Sequence, residues 1–263
     1  MNNINFTFMI NGTEWKEPHI KRIEYERNLH MLHNLKQHGI EIKDGGRSLD
    51  HDEIDFLTEE QAWNVSVETR AGLDDETVRR QYRDAFRKSE QYWKDHPFAQ
   101  NLSMRKSYCH MTIRGIFLKE YMESMKEMTY DAKLLLRSHP EHMNAIETAE
   151  HIIGIEPFGT YGTPTLCIVQ RCDVSEMGPQ IQADSDTGFP IKTTGKAYLL
   201  DGKTEINSPF HQYRETADGL EAKLAVYWPE NVPDEIVEGH SLHLAMEFYE
   251  SICYAAKKKQ QSR

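Results

Sequence analysis

The stretch EGHSLHLAMEFYESI, residues 238–252, is apolar on nearly every side. It belongs to a helix that begins after Pro233 and runs to Lys257-Lys258-Lys259, cations that suit the negative end of a helix dipole. A helix apolar all round has to be enclosed. The remainder of the chain must therefore supply a wrapping layer.

The segments before it have the pattern of that layer. From about residue 145 the chain reads as strands between turns: AIETAEHIIGIEPFG, TPTLCIVQRC, TGKAYLL and KTEI around Asp201-Gly202, then HQYRET and LEAKLAVYW around Asp218-Gly219. Leu220, Ala222, Leu224, Val226 and Trp228 alternate onto one face. The register of this last hairpin stays open, because two- and three-residue loops at Ala217–Gly219 give opposite pairings. SYCHMTI, residues 107–113, is a further strand. The expected fold is α+β: a helix-grip (START-like) antiparallel sheet curved round the C-terminal helix, with a cavity between them. A ferredoxin-like α+β domain shares much of this element order and is the alternative.

The first hundred residues read as mainly helical. Asn11-Gly12 marks a short hairpin, Pro18 opens a helix that stops at Gly39, and Asp74 caps another that ends before His96-Pro97. Residues 41–72 look polar and irregular. A division follows, with a helical region over 1–104 and a sheet-plus-helix ligand domain over 105–263. The helical region suits a lid or the packing of a homodimer.

Charge and cysteine usage narrow the partners. The net charge is −11 and no basic stripe exists, which argues against nucleic acid. No apolar run reaches the roughly 20 residues of a membrane span, and the N-terminus lacks a signal-peptide pattern. The four cysteines are scattered without a CxxC pair, as reduced thiols are. A cytoplasmic protein is expected.

Polar residues interrupt the last helix in an ordered way. At 100° per residue, His240, His243 and Glu247 fall within about 40° of the Ile236–Tyr254 line and Ser251 within about 60°. His243 and Glu247 are four apart, so their side chains can meet at one point. A buried glutamate costs several kcal/mol unless neutralised, paired or bound to a metal. Two imidazoles beside it suit a divalent ion such as zinc. The same spacing also serves a His–Glu ion pair or a solvated stripe. Two ligands from one helix leave two to be found elsewhere, and His110 on its strand and Glu150 are the choices. SHPEHM, residues 138–143, reads as a helix terminus. Tyr108, Tyr161, Tyr198 and Tyr213 are candidate phenol donors to a polar aromatic ligand. EPFGTYGTP, residues 156–164, is a turn with no following helix to cradle phosphate. Asp184-Ser185-Asp186 lacks the rest of a calcium loop.

HQYRETADGLEAK, followed after a short gap by a helix with HLAME, resembles the diacetylphloroglucinol and phloretin hydrolase family. HPEH at 139–142 is similar to a further segment of that family. The resemblance covers about residues 105–255. It implies a helix-grip zinc enzyme that cleaves the carbon–carbon bond between an acyl group and a phenolic ring. His243 and Glu247 match the family's last two zinc ligands, and His110 and Glu150 would fill the first two by order. The tryptophan-rich run that precedes the family's first histidine is missing, since Ser107-Tyr108-Cys109 stands there.

Three readings follow. The first is a zinc-dependent hydrolase of an acylated phenol or related aryl ketone, with metal at His110, Glu150, His243 and Glu247. In it His240 or His142 is the acid, and tyrosines such as Tyr108 and Tyr213 hold ring hydroxyls. The second is a metal-free helix-grip protein that binds, cyclises or isomerises a planar ligand with His243 and Glu247 as an acid–base pair. The third is a protein whose polar stripe packs on a partner subunit.

Overall fold

In the computed structural model the described residues are 4–98, 103–129, 131–147 and 151–261. The chain opens with β1 (Asn5–Ile10) and β2 (Thr13–Trp15), joined at Asn11 and Gly12, both in the left-handed region (φ 48° and 80°). That geometry is the two-residue turn Asn-Gly favours. Helix α1 (Glu17–Gln37) follows, ended by Gly39 at φ 78°. A small ribbon of β3 (Lys43–Asp44) and β4 (Arg47–Ser48) leads to α2 (His51–Asp55), α3 (Glu59–Ala71), α4 (Asp75–Gln81) and α5 (Arg83–Asp95).

Then come β5 (Arg105–Arg114), α6 (Leu118–Thr129), α7 (Ala132–Ser138), β6 (Met143–Glu147), β7 (His151–Pro157) and β8 (Pro164–Arg171). The chain finishes with a single 3₁₀ turn at 174–176, α8 (Pro179–Ala183), β9 (Ile191–Leu199), β10 (Glu205–Thr216), β11 (Gly219–Trp228) and α9 (Asp234–Gln261).

Among the described residues one nine-stranded sheet runs in the order β2-β1-β5-β11-β10-β9-β8-β7-β6, with every pairing antiparallel. Its inner face packs on α9, so the molecule is α+β of the helix-grip kind. A ferredoxin-like arrangement is not what forms. β1 pairs with β5 across the division drawn near residue 104. Phe8, Ile10, Ile20 and Trp93 share one core with Leu244, Phe248 and Ile252 of α9.

Strand alternation decides which side chains reach the helix. On β5, Ser107, Cys109, Met111 and Ile113 are buried on the inner face, and Tyr108, His110 and Thr112 take the other. On β11 the inner row is Leu220, Ala222, Leu224, Val226 and Trp228. Each large apolar side chain enclosed here, Leu244 or Phe248 for example, contributes about 1.5–3 kcal/mol. Polar pins fix the helix on the sheet. Ser107 Oγ donates to the Val237 carbonyl, Trp228 Nε1 donates to Ser107 Oγ at 2.8 Å, and Tyr108 N–H donates to Ser241 Oγ at 3.0 Å.

One expectation is corrected, and one register left open by the sequence is decided. Residues 41–72 are not irregular, because α2 and α3 lie there. Thr58 and Gln61 form a reciprocal capping box at the start of α3, and Ala62, Val65 and Val67 are buried. Buried Ser66 and Arg70 on the same helix masked its apolar period. The last hairpin closes with Thr216 opposite Gly219, a two-residue loop, and Gly219 is not in a left-handed conformation. Its glycine serves close approach instead, since a Cβ there would stand 2.0 Å from the Ile113 carbonyl oxygen. Residues 158–163 and Asp184–Asp186 are loops, with Tyr161 in the left-handed region at φ 54°, whereas Glu156 and Pro157 of EPFGTYGTP end β7 and Pro164 begins β8.

Candidate metal centre

α9 brings His240, His243 and Glu247 to one side, as helical angles require. His240 and His243 are buried, and their rings stack with centroids 4.5 Å apart. Facing them is the turn between α7 and β6, His139-Pro140-Glu141-His142. It is a helix terminus, since α7 stops at Ser138, and it is also part of the site. His142 Nε2 lies 3.1 Å from His243 Nε2. From the sheet, β7 contributes Glu156. Its Oε1 is 3.1 Å from His243 Nε2 and 3.7 Å from His240 Nδ1, and its Oε2 is 3.9 Å from His142 Nε2.

Three donors therefore converge on one point: two imidazole nitrogens and a carboxylate. His139, His142 and His243 also form a tight group, as do Glu156, His240 and His243. His139 plays a different part from His142. The Glu141 N–H donates to His139 Nδ1 at 3.1 Å, which places the ring proton on Nε2 and occupies the other lone pair. The ring lies flat against His243 with centroids 3.5 Å apart, which fixes the His243 ring.

Burial sets the charge state of every member. It drives the imidazoles of His139, His240 and His243 well below their usual value, with neighbouring imidazoles and Arg27 adding to the effect. His142 is lowered to about 3 by burial and by Arg70. Burial, then the nearby Glu247 and Glu141 charges, raises Glu156 well above the carboxylate range. Burial raises Glu247 to about 7. Burial thus favours neutral imidazoles and protonated carboxyls in this group. A divalent cation reverses the balance, since it accepts those lone pairs and neutralises the carboxylates. The buried Nδ1 atoms of His240 and His243 have no hydrogen-bond partner, so donor capacity is left over. The donor set fits a metal of the zinc class.

Two buried arginines hold the turn in place. Arg27, from α1, pairs with Glu141 and also donates to the carbonyls of Gly239 at 3.1 Å and Gly159 at 3.4 Å. Arg70, from α3, donates to the carbonyls of His139 at 2.9 Å and His142 at 2.7 Å. Burial lowers Arg70 to about 9, with Glu141 opposing the shift. The N-terminal helices thus build the wall behind the site. Gly239 is tight against Thr160, and a Cβ there would lie 2.3 Å from the Thr160 nitrogen. This contact sets the height of His240.

The residues expected from the sequence are placed unequally. His240, His243 and His142 come together, and Glu247 is near enough for its charge to act on Glu156 but belongs to neither close donor group among the described residues. His110 does not: it lies on the outer sheet face, with Nε2 3.3 Å from Glu221 and its ring edge-on to Phe189. Strand alternation turns it away from α9, and it is corrected to an outer-face residue. Tyr108 shares that face and packs against Met177, Ile181 and Phe210, so it too is corrected. Glu150 lies outside the described residues. Glu156 takes a place at the cluster instead, because β7 pairs Glu156 with Thr165 and so points it inward with Cys167. Tyr213 is on the inner face beside Phe248 and Tyr121. Burial, with the Glu247 charge also acting on it, raises its phenol.

Sequence reasoning passed over Glu156, His139, Arg27, Arg70 and His211. His211 is on the inner face of β10, edge-on to Phe248, with Nδ1 buried and unpartnered. Burial lowers it to about 4. The signals were present in HPEH and HQY, where polar residues stand beside apolar strands, but no spacing rule joins them across the chain. No family model matches the chain, and no curated protein matches it either. Among the described residues no helix is long and apolar enough to cross a membrane.

Proposed function

We propose that the protein is a metal-dependent hydrolase that cleaves the carbon–carbon bond between an acyl group and a phenolic ring. The observation that carries this reading is the convergence of His142 Nε2, His243 Nε2 and the Glu156 carboxylate, with Glu247 one turn along α9. These four residues would hold the ion. The resemblance of HQYRETADGLEAK and HLAME to phloretin-type hydrolases supports the substrate class.

When bound, zinc supplies Lewis acidity toward a carbonyl or phenol oxygen and acidifies water. The chain's own residues supply the rest. Tyr213 and His211, on the sheet side, would hydrogen-bond ring hydroxyls of a planar substrate. His240, with an unpartnered Nδ1 close to Glu156, moves a proton from the attacking water to the ring. Water adds its oxygen to the acyl carbon, the ring carbon gains hydrogen, and the bonding pair of the broken C–C bond stays with the ring. A carboxylic acid and the deacylated phenol leave. The apolar surround of Phe158, Trp228 and Phe248 keeps bulk water from this chemistry.

The direct 3.1 Å contact of His243 with Glu156 favours one other reading, a metal-free acid–base pair acting on a planar ligand. Protein purified without chelator and analysed for metals by mass spectrometry decides between them. The expected result is about one zinc-class ion per chain, as one donor set holds one ion, and hydrolysis of an acylphloroglucinol that is lost with the metal. Turnover with no bound ion would favour the acid–base pair. Absence of both would overturn the proposal.

A further inference from the structure

α1, α3 and α9 meet around a second recess of about 300 Å³, lined by Lys21, Glu24, Tyr25, Asn28, Glu59, Glu60, Trp63 and Glu250. None of the histidine-cluster residues lines it. Four carboxyl groups face one lysine there, and that lysine's Nζ is 2.8 Å from Glu17. Glu24 is only 8% exposed, and its Oε1 has no hydrogen-bond partner. Asn28 is 1% exposed. Its Nδ2 donates to the Glu24 carbonyl at 3.1 Å, which fixes the amide and leaves Oδ1 without a partner. A buried amide oxygen facing nothing costs about 1–3 kcal/mol. It is a second observation, independent of the acidic charge, that points to a ligand here.

The donors are all oxygens, with no imidazole or thiol among the lining residues. Hard cations with flexible, oxygen-rich coordination take such sets, and zinc or copper do not prefer them. We propose that this recess binds a hard divalent cation of the calcium class, held by Glu24, Asn28 Oδ1 and Glu250, with Glu59 and Glu60 at the mouth. Burial, with the Glu250 charge adding to it, holds the Glu24 carboxyl well above the usual carboxylate range, and burial pushes Glu250 up to about 7. A bound cation would offset the charge that burial disfavours on these two carboxyls. The site would tie α1 and α3 to α9, the same helices that carry Arg27, Arg70 and His243.

Trp63 in the lining gives the test its readout. A terbium ion, which stands in for calcium, emits when a neighbouring indole is excited. The full-length protein, as purified, is titrated with terbium chloride and then with calcium chloride. Saturable emission on tryptophan excitation, abolished by excess calcium, is expected. Glu24→Gln and Glu250→Gln should each weaken binding about tenfold or more, as lowering the ligand charge count does. Trp63→Phe should remove most of the emission while calcium binding by calorimetry is kept, and His243→Ala should leave the emission intact. Circular dichroism checks that each variant is folded. If a buried variant fails to fold, the exposed pair Glu59→Gln/Glu60→Gln replaces it, and several-fold weaker binding is expected. The proposal is overturned by no saturable emission and no calcium heat, by emission unchanged in the Glu24 and Glu250 variants, or by emission lost in His243→Ala.

Discussion

Replacing Arg27 with methionine tests how the N-terminal helices support the site. The side chain is 1% exposed and its partner Glu141 is equally buried. Glu141 Oε1 already lacks a partner, so the substitution leaves a buried carboxyl without its paired cation, with Arg70 acting on it only through its more distant charge. Breaking a buried pair from one side costs roughly 3–5 kcal/mol. In a chain of this size that lowers the melting temperature by on the order of 10 °C. Two carbonyls, of Gly159 and Gly239, lose their donor as well. The pH dependence has a definite sign. Burial raises Glu141 while Arg27 holds it down, so removing Arg27 raises it further. The protonated form is then the one the fold prefers. Stability of the variant is fully present below the usual glutamate value and falls as pH rises through the raised one. Urea unfolding across pH 5 to 8 measures this, and Arg27→Met/Glu141→Leu should recover most of the loss. A single-variant loss under about 1 kcal/mol, or a double variant no better than the single, would refute the reasoning.

Other perturbations address the remaining parts of the site. His142→Ala should abolish metal retention, whereas His110→Ala should leave metal content unchanged because it breaks only outer-face contacts, with Glu221 and Phe189; inductively coupled plasma mass spectrometry reads both. Gly239→Ala forces a methyl group against the Thr160 backbone and should cost about 3 kcal/mol in chemical denaturation, with full stability contradicting that close approach. His211 has a folded-state value of about 4 against the ordinary 6.5, so its contribution is present above 6.5 and is lost as pH falls toward 4. The His211→Gln variant should therefore show a decline shallower by up to about 3 kcal/mol over that range, and identical slopes would count against a buried neutral imidazole.

Local pattern made much of this molecule legible. An apolar helix at the end of a run of short strands requires a layer around it, and alternation on β5 and β11 identifies the faces that meet it. The Asn11-Gly12 turn and the stop at Gly39 follow from the backbone freedom of those residues. On α9 the angular stripe of His240, His243 and Glu247 follows from helix geometry alone, because 3.6 residues per turn admits no other arrangement. Half of the candidate metal centre was therefore readable in one segment.

The other half depends on long-range pairing. His110 and Glu156 are both polar residues on strands, and composition gives no reason to prefer one. Pairing of Gly154 with Cys167 and of Glu156 with Thr165 turns Glu156 inward, while His110 takes the outer face opposite Lys223. A shift of one residue would exchange such roles, and only the assembled sheet fixes the register. Likewise Arg27 and Arg70 look like ordinary surface charges on helices until α1 and α3 are packed against the His139–His142 turn. Sequence by itself determined which residues can share a helix face or a strand face, since that is set by local backbone geometry. Tertiary structure decided which faces meet, because burial and pairing energies are summed over segments more than a hundred residues apart.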